Sequence, residues 1–253
     1  MSHRTFTLAE AARYLHVSAA NLETRVRHGE IPCERPGGRI VFRKQLLDEW
    51  ASQRIMGMSA PRLAGYHRHA ADQISRVAPD ADPALASLLA PEFVIPALAS
   101  RTKAGVIRDL AARAEATGLV NDPADLRQSL LAREDLCSTG LPGGFALLHP
   151  RHHDPWLFER SFLMLARTPH PLPFGAPDGG ETDVFFLVCC NDDRIHLHVL
   201  ARICLVCSRT VLLDDLRAGA GVDSMFAALC AAEAQILEAK PKGRDLENDS
   251  SWE

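Results

Sequence analysis

Short apolar, strand-like runs alternate with longer segments of helical period between residues 84 and 238, and this alternation constrains the fold more than any other feature. Helical periodicity covers residues 103–117 and 123–134, and further helices are predicted from Ile195 onward. Strands are predicted at 144–148, 161–166 and 183–190. Such a pattern predicts an α/β domain with a mixed sheet flanked by helices.

The first part of the chain has a different pattern. Thr7 and Ser18 each precede a segment of helical period, and both side chains can cap the helix that follows. Residues 31–42 hold two prolines and a Gly-Gly turn between short apolar pieces, which predicts a two-stranded wing. Residues 43–53 return to helical period. The segment 1–54 is therefore predicted to be a small winged helix-turn-helix domain.

The remaining segments are poorer in apolar periodicity. Residues 55–83 mix glycine, proline and scattered charges, and we interpret them as a linker that contains a helix over 64–77. Residues 84–238 then form the α/β domain. The polar segment 239–253 has no periodic apolar face and is predicted to be a disordered tail.

The charges are distributed unevenly along the 253 residues. The formal net charge is −4, whereas residues 1–54 hold nine Lys and Arg against six Asp and Glu, which leaves −7 on the remainder. A basic head on an acidic body favours a polyanionic partner for the head, and DNA is such a partner.

The composition also predicts the compartment. Seven cysteines, an odd number, lie mostly in apolar runs, which indicates reduced and buried thiols. No apolar run approaches the roughly 20 residues needed to cross a bilayer, and the chain starts without the apolar stretch of a secretory signal. We therefore expect a cytoplasmic protein without membrane insertion.

The head carries an ordered set of short motifs: FTLAEAARYLHVS, HGEIP, GGR, FRK and LLDEW. Together they resemble the excisionase-type helix-turn-helix domain of the MerR superfamily. The resemblance implies that the second helix enters a major groove and that cations around the wing contact phosphates. The candidate DNA-binding residues are Arg25, Arg27, Arg39, Arg43 and Lys44.

The predicted recognition helix departs from this family pattern. It has Ala19, Ala20 and Glu23 at exposed positions where basic residues are common, which leaves few groove contacts. DNA binding by the head is then expected to be weak, or to need a dimer in which each subunit contacts one half-site. In the alternative interpretation, Arg25 and Arg27 are solvated surface charges.

The body carries the motifs LLAREDLCSTGLPGGFALLHPR, VFFLVCC and HLHVLARI in order. Over residues 85–237 it resembles the enzyme IIA domain of the phosphoenolpyruvate sugar phosphotransferase system, of the fructose–mannitol and nitrogen-regulatory type. That family has a mixed sheet flanked by helices, in agreement with the pattern of strands and helices. Leu148 departs from the family, which usually has proline before the acceptor histidine.

The resemblance implies the residues of a phosphoryl-transfer site. His149 is the acceptor of a phosphoryl group from the carrier protein HPr, and His196 assists as the second histidine. Arg133 supplies planar donors to phosphoryl oxygens. Ser138 and Thr139 place hydroxyls and backbone N–H groups beside the acceptor. Glycines next to these residues allow close approach of the backbone: Gly140, Gly143 and Gly144.

Some of these residues also have a purely structural interpretation. Arg133 could pair with Glu134 or Asp135 on a helix surface. His198 is expected to be exposed and to face away from His196, because residues two apart on a helix point in different directions. No cofactor and no metal are implied.

Three functions compete. The favoured hypothesis is a regulator that couples phosphorylation by HPr to a DNA-binding-type head, with an enzyme IIB domain or a regulatory target protein as a further partner. The second is an enzyme IIA component of a sugar transport relay. The third is metal sensing, because His149, His152, His153 and Asp154 cluster, but their spacing and that of Cys204 and Cys207 suit zinc poorly.

Overall fold

A computed structural model describes residues 4–77, 84–151, 156–219 and 221–238. The head begins with strand β1 (Thr5–Thr7), followed by helices α1 (Leu8–Tyr14) and α2 (Ala19–His28). Helix α1 starts with a reciprocal cap, in which Thr7 accepts from the amide of Glu10 and the Glu10 carboxylate accepts from the amide of Thr7. The hydroxyl of Ser18 accepts from the amide of Asn21 and so caps α2. Both predicted helix starts are confirmed.

The predicted two-stranded wing over residues 31–42 is wrong in its pairing. Strand β2 (Val41–Arg43) pairs antiparallel with β1, and its link to the preceding segment is one isolated bridge between Glu34 and Val41. The prolines explain the difference, since proline lacks the amide hydrogen that a ladder needs. Residues Pro36–Gly38 form a single 3₁₀ turn instead, with both glycines at positive φ. Helix α3 (Lys44–Met56) closes the head.

The segment predicted as a linker is largely helical. Helix α4 (Ala60–Val77) starts four residues before the predicted helix and buries Leu63, Tyr66, His67 and Ala70. It packs against helix α8 (Asp193–Arg209) of the body. The connection therefore joins the head to the body through side-chain packing.

The body is built on a five-stranded mixed sheet in the order β3-β6-β7-β5-β4. The strands are β3 (Val94–Ile95), β4 (Gly140–Leu141), β5 (Phe145–Leu148), β6 (Phe162–Leu172) and β7 (Thr182–Cys189). β3 pairs parallel with β6 and β5 pairs parallel with β7, whereas the β6–β7 and β4–β5 pairs are antiparallel. The three predicted strands are confirmed, with shifted ends.

Helices flank this sheet, as predicted. Besides α8 they are α5 (Leu85–Leu88), α6 (Lys103–Ala116), α7 (Pro123–Leu136), α9 (Leu212–Ala218) and α10 (Val222–Glu238). Within the described ranges no single helix is long and apolar enough to cross a membrane; the bent pair α8–α9 reaches that length and composition only when taken together. The predicted tail, 239–253, lies outside the described residues.

The centre of the sheet is apolar on both faces, and this positions the functional site. Every residue of β5 is buried, and so is the segment from Val184 to Cys190. Strands covered on both faces lack polar alternation, which is why these runs are continuously apolar. The first polar side chain after β5, that of His149, therefore lies at the edge of a rigid and closely packed platform.

Candidate functional site

His149 follows the last residue of β5, and both ring nitrogens have defined neighbours. Nδ1 lies 2.9 Å from the carbonyl oxygen of Leu147, and Nε2 lies 3.0 Å from Nε of Arg133. A carbonyl can only accept a hydrogen bond and a guanidinium can only donate one. The neutral imidazole therefore has its proton on Nδ1 and its lone pair on Nε2, and an imidazole nitrogen with a lone pair is the one able to act as a nucleophile.

Arg133 lies in the last turn of α7, where its guanidinium is buried. Its Nη1 donates to the carbonyl oxygen of Cys137 at 3.0 Å and lies 3.4 Å from the thiol of that residue. Its Nη2 is buried and has no hydrogen-bond partner among the described residues. The arrangement excludes the surface ion pair that was the alternative for Arg133. A buried cationic donor stays available beside His149.

His196 joins the site from α8. Its ring centroid lies 5.4 Å from that of His149, with 51° between the planes. Residues 47 positions apart in the sequence are therefore neighbours, because α8 follows β7 and β7 pairs with β5. The two histidines and Arg133 form one buried cluster.

The expectation that His198 is exposed is wrong. Its ring is fully buried, stacks on that of His67 with 4.5 Å between centroids, and lies 2.8 Å from Nη2 of Arg202. The prediction assumed that the face of α8 bearing His198 is exposed to solvent. Helix α4 packs against α8 and covers that face.

Ser138 and Thr139 have structural partners here. The Ser138 hydroxyl donates to the carbonyl oxygen of Phe174 at 2.8 Å, and the Thr139 hydroxyl donates to the Glu134 carboxylate at 2.6 Å. Glu134 is buried and also accepts from the Thr139 amide and from Nζ of Lys103. These bonds hold the loop between α7 and β4, so they support the position of Arg133. Glu134 and Lys103 were not predicted in this role. The Arg-Glu…Ser-Thr order of the sequence was a signal for Glu134, and no comparable signal pointed to Lys103.

The glycine-rich turn does not border the acceptor. Gly143 and Gly144 have φ values of 94° and 83° and precede β5, whereas His149 follows it. The turn is occupied by Arg217, whose Nη2 donates to the carbonyl oxygen of Gly143 at 2.6 Å and which pairs with Asp183. The φ of Gly144 is one that L side chains rarely adopt, which explains the glycine, and a Cβ there would also force Nη2 of Arg217, 2.6 Å away, to move.

The head covers the histidine cluster, which the sequence analysis did not foresee. A narrow gap separates α3 from the cluster, and its lining consists of Asp48, Glu49, Ser52, Arg133, His149, Pro150, Arg151 and His196. Nε of Arg151 forms an ion pair of 2.7 Å with Oε1 of Glu49. No local pattern relates residues 49 and 151, so only tertiary structure shows this contact.

The five candidate DNA-binding residues divide into two groups. Arg25 and Lys44 are buried; Arg25 donates to Asn21 and Glu30, and Lys44 pairs with Asp48 at 3.0 Å. These side chains stabilise the head and are not part of its exposed surface. The exposed group consists of Arg27, Arg39 and Arg43, the last in an ion pair with Glu34.

The residues weighed as metal ligands form no site in the described part of the chain. His152, His153 and Asp154 lie outside the described residues, and Cys204 and Cys207 are buried in α8. Within the described ranges no group of three or more His, Cys, Asp or Glu side chains is placed to hold a metal ion.

The sequence of the body matches a known family over most of its length. The model described as phosphoenolpyruvate-dependent sugar phosphotransferase system, EIIA 2, matches residues 87–230, more than half of the chain. The chain belongs to the EIIA 2 family. A model of a helix-turn-helix domain matches residues 5–55, which is the head that precedes the EIIA domain. Both predicted resemblances are confirmed.

Individual relatives cover the EIIA domain. The nitrogen regulatory protein of Bradyrhizobium diazoefficiens is 33% identical over 148 residues, which are 57% of this chain and 94% of the relative. The crystal structure of nitrogen regulatory protein IIA-Ntr from Neisseria meningitidis has a TM-score of 0.52 at 25% identity, over 57% of this chain and 98% of that one. Enzyme IIA-mannitol of Escherichia coli, solved in complex with phosphorylated enzyme IIB-mannitol, has a TM-score of 0.51 at 18% identity and covers 56% and 97%. This last likeness shows the fold alone.

Proposed function

We propose that this EIIA protein is a phosphorylation-dependent regulator, in which Nε2 of His149 accepts a phosphoryl group from an HPr-like carrier and the phosphorylation state controls the helix-turn-helix head. The observation that carries the proposal is the orientation of His149. The carbonyl oxygen of Leu147 accepts a hydrogen bond from Nδ1–H, and Nε2 accepts one from the guanidinium of Arg133.

The transfer step follows from these contacts. The P–N bond of the carrier phosphohistidine breaks as the P–Nε2 bond forms, and the carrier imidazole recovers its lone pair. The positive charge that develops on the His149 ring is shared with Nδ1–H, which the carbonyl oxygen of Leu147 stabilises. The Nε–H of Arg133 then moves its hydrogen bond from Nε2 to a phosphoryl oxygen, and Nη2 supplies a second donor to the same group.

His196 is close enough to assist. Its ring lies next to that of His149 and can donate a hydrogen bond to a phosphoryl oxygen during transfer, without itself forming the P–N bond. Ser138 and Thr139 remain candidates for phosphoryl contacts through a rearranged loop, although their hydroxyls serve Phe174 and Glu134 here.

A regulatory role is favoured over a transport relay by the head and by the similarity to a nitrogen regulatory protein. A transport relay would pass the group on to an enzyme IIB partner, and the mannitol enzyme IIA was solved in complex with such a partner in its phosphorylated form. The head contributes three exposed cations for phosphate contacts: Arg27, Arg39 and Arg43. We expect modest, salt-sensitive DNA binding, because Ala19 and Ala20 offer little base readout.

Incubation with enzyme I, HPr and labelled phosphoenolpyruvate tests the proposal, with mapping of the labelled peptide. A label on His149 that changes the DNA affinity or the sedimentation of the protein supports regulation. Transfer of the label to an enzyme IIB partner, with DNA affinity and sedimentation unchanged, would support the transport role instead.

A further inference from the structure

The acceptor histidine is closed off from solvent. His149 and Arg133 are each 2% exposed and His196 is 1% exposed. Helix α3 of the head forms one wall of the gap over these residues, through Asp48, Glu49 and Ser52. The gap is too narrow to admit a water molecule. A protein that delivers a phosphoryl group must bring the phosphorus atom within bonding distance of Nε2. The closed gap leaves no room for that group, so His149 cannot be phosphorylated in this arrangement.

Two polar contacts fasten the head and α4 to the EIIA domain. Beside the acceptor, Glu49 pairs with Arg151 at 2.7 Å, and Glu49 is further held by the amide of Gln45. On α4, Nε2 of His67 accepts from Nε of Arg202 at 2.9 Å. The first contact involves the residue two positions after the acceptor. Docking of α3 and chemistry at His149 therefore use the same small surface.

We propose that α3 is a built-in cover of the phosphoryl-acceptor surface. The helix must undock before HPr can bind, and it cannot redock once His149 is phosphorylated. The inference rests on the proposed function. It adds that docking of α3 controls access to His149, which phosphoryl acceptance alone does not require. It assigns the surface around His149 to two mutually exclusive partners: α3 of the same chain and the phosphoryl donor.

Size and charge both oppose redocking after phosphorylation. A phosphoryl group is larger than a water molecule and adds close to two negative charges. In the docked arrangement it would meet the carboxylates of Asp48 and Glu49 across the gap. It would also compete with Glu49 for Arg151, because a guanidinium binds a phosphoryl dianion at least as well as a carboxylate. Phosphorylation thus removes the ion pair that holds α3 down.

The two equilibria are linked. Only the undocked fraction accepts phosphate, so the observed rate of phosphorylation is the rate of the undocked protein multiplied by that fraction. The linkage is reciprocal. Docking of α3 makes phosphorylation of His149 less favourable by a certain free energy, and phosphorylation makes docking less favourable by the same free energy. A ligand that binds only the undocked head would therefore increase the phosphorylation rate of His149.

Chemical modification of the full-length chain measures the cover without any phosphoryl donor. Diethyl pyrocarbonate acylates accessible neutral imidazoles, and mass spectrometry of the peptide reports the modification of His149. Glu49→Lys replaces the ion pair with two like charges, and Glu23→Lys makes the same charge change on an exposed position of α2. We expect modification of His149 to accelerate on the order of three- to tenfold in Glu49→Lys and to stay unchanged in Glu23→Lys.

A second pair of variants separates undocking from misfolding. Ser52→Arg places bulk in the gap, while Gln53→Arg places it on the exposed neighbouring position of α3. Circular dichroism and an unchanged melting temperature of the EIIA transition establish that each variant is folded. Labelling by HPr should rise in parallel with diethyl pyrocarbonate modification in both Glu49→Lys and Ser52→Arg.

The outcomes distinguish the cover from the function. Rapid modification of His149 in the unaltered protein, equal to that in both interface variants, would overturn the cover. Protection that both variants relieve supports it, whether or not HPr labels the protein. Absence of HPr labelling in a variant whose His149 is accessible would overturn the proposed phosphoryl acceptor and leave the closed arrangement standing.

Discussion

The Nε atom of Arg133 donates a hydrogen bond of 3.0 Å to Nε2 of His149, so the lone pair of this histidine points at a buried cation. A protonated Nε2 would have no lone pair to accept this bond, so the contact requires Nε2 without a proton. In the transfer that we propose, the same contact places a guanidinium donor next to the incoming phosphoryl oxygens.

His149→Ala should abolish labelling by HPr, since it removes the only atom that forms the P–N bond. The label on the unaltered protein should be lost in acid and stable in base, as expected of a phosphoramidate. His170→Ala, which removes an exposed histidine from β6, is the matched control and should label normally. Full labelling of His149→Ala, or an acid-stable phosphate on serine, would contradict the site.

Arg133→Lys should slow labelling by on the order of 10- to 100-fold while leaving the acceptor atom in place. Lysine keeps the charge but lacks the planar donors that reach His149, Cys137 and the phosphoryl group together. Single-turnover labelling with phosphorylated HPr measures the rate. Arg127→Lys, on an exposed face of the same helix, should label at the original rate. Equal rates for the two variants would remove Arg133 from the transfer step.

His196→Ala should still be labelled on His149, but back-transfer of the phosphoryl group to HPr should be slower. The variant loses a group next to the moving phosphoryl oxygens and keeps the nucleophile. Chasing the labelled protein with unlabelled HPr follows the back-transfer. Complete absence of label in folded His196→Ala would instead indicate that His196 itself takes the phosphate.

Arg39→Ala should weaken DNA binding across all sequences and reduce the dependence of log K on log salt by about one unit. Arg39 is exposed at the end of the Pro36–Gly38 turn, and we expect a cation at this turn to contact phosphate. Fluorescence anisotropy at several salt concentrations measures both effects. Arg62→Ala, on an exposed face of α4, should bind as before. A head that binds no DNA even at low salt would favour a protein-docking role.

Four of the seven cysteines should resist alkylation in the native protein. Burial raises the pKa of Cys190 and of Cys204 to about 12, and it raises the pKa values of Cys189 and Cys207 as well. The reactive thiolate is then scarce at neutral pH. The partly exposed thiols should react first: Cys33, Cys137 and Cys230. Iodoacetamide labelling with peptide mapping checks the order, and unfolding in denaturant should make all seven react alike.

Much of the fold could be predicted because its determinants are local. Thr7 and Ser18 cap helices through bonds to residues three positions ahead, so their role is visible in a short window. The apolar run of β7 is buried on both faces and has no alternation, which is a pattern within eight residues. Predictions failed where a distant element intervened, as for His198, whose face of α8 is covered by α4.

The sequence by itself determined the family and the presence of a helix-turn-helix head before the EIIA domain, because these depend on residue types in a recognisable order. The same order predicted that His149, Arg133 and His196 belong to one site, and the structure places them in one cluster. Only the tertiary structure decided which ring nitrogen of His149 faces Leu147 and which faces Arg133, that Ser138 and Thr139 brace a loop, and that α3 covers His149. The physical reason is the separation along the sequence between the residues that interact. Caps and strand patterns depend on neighbours a few residues away, whereas the ion pair between Glu49 and Arg151 joins side chains 102 positions apart and leaves no local trace in the sequence.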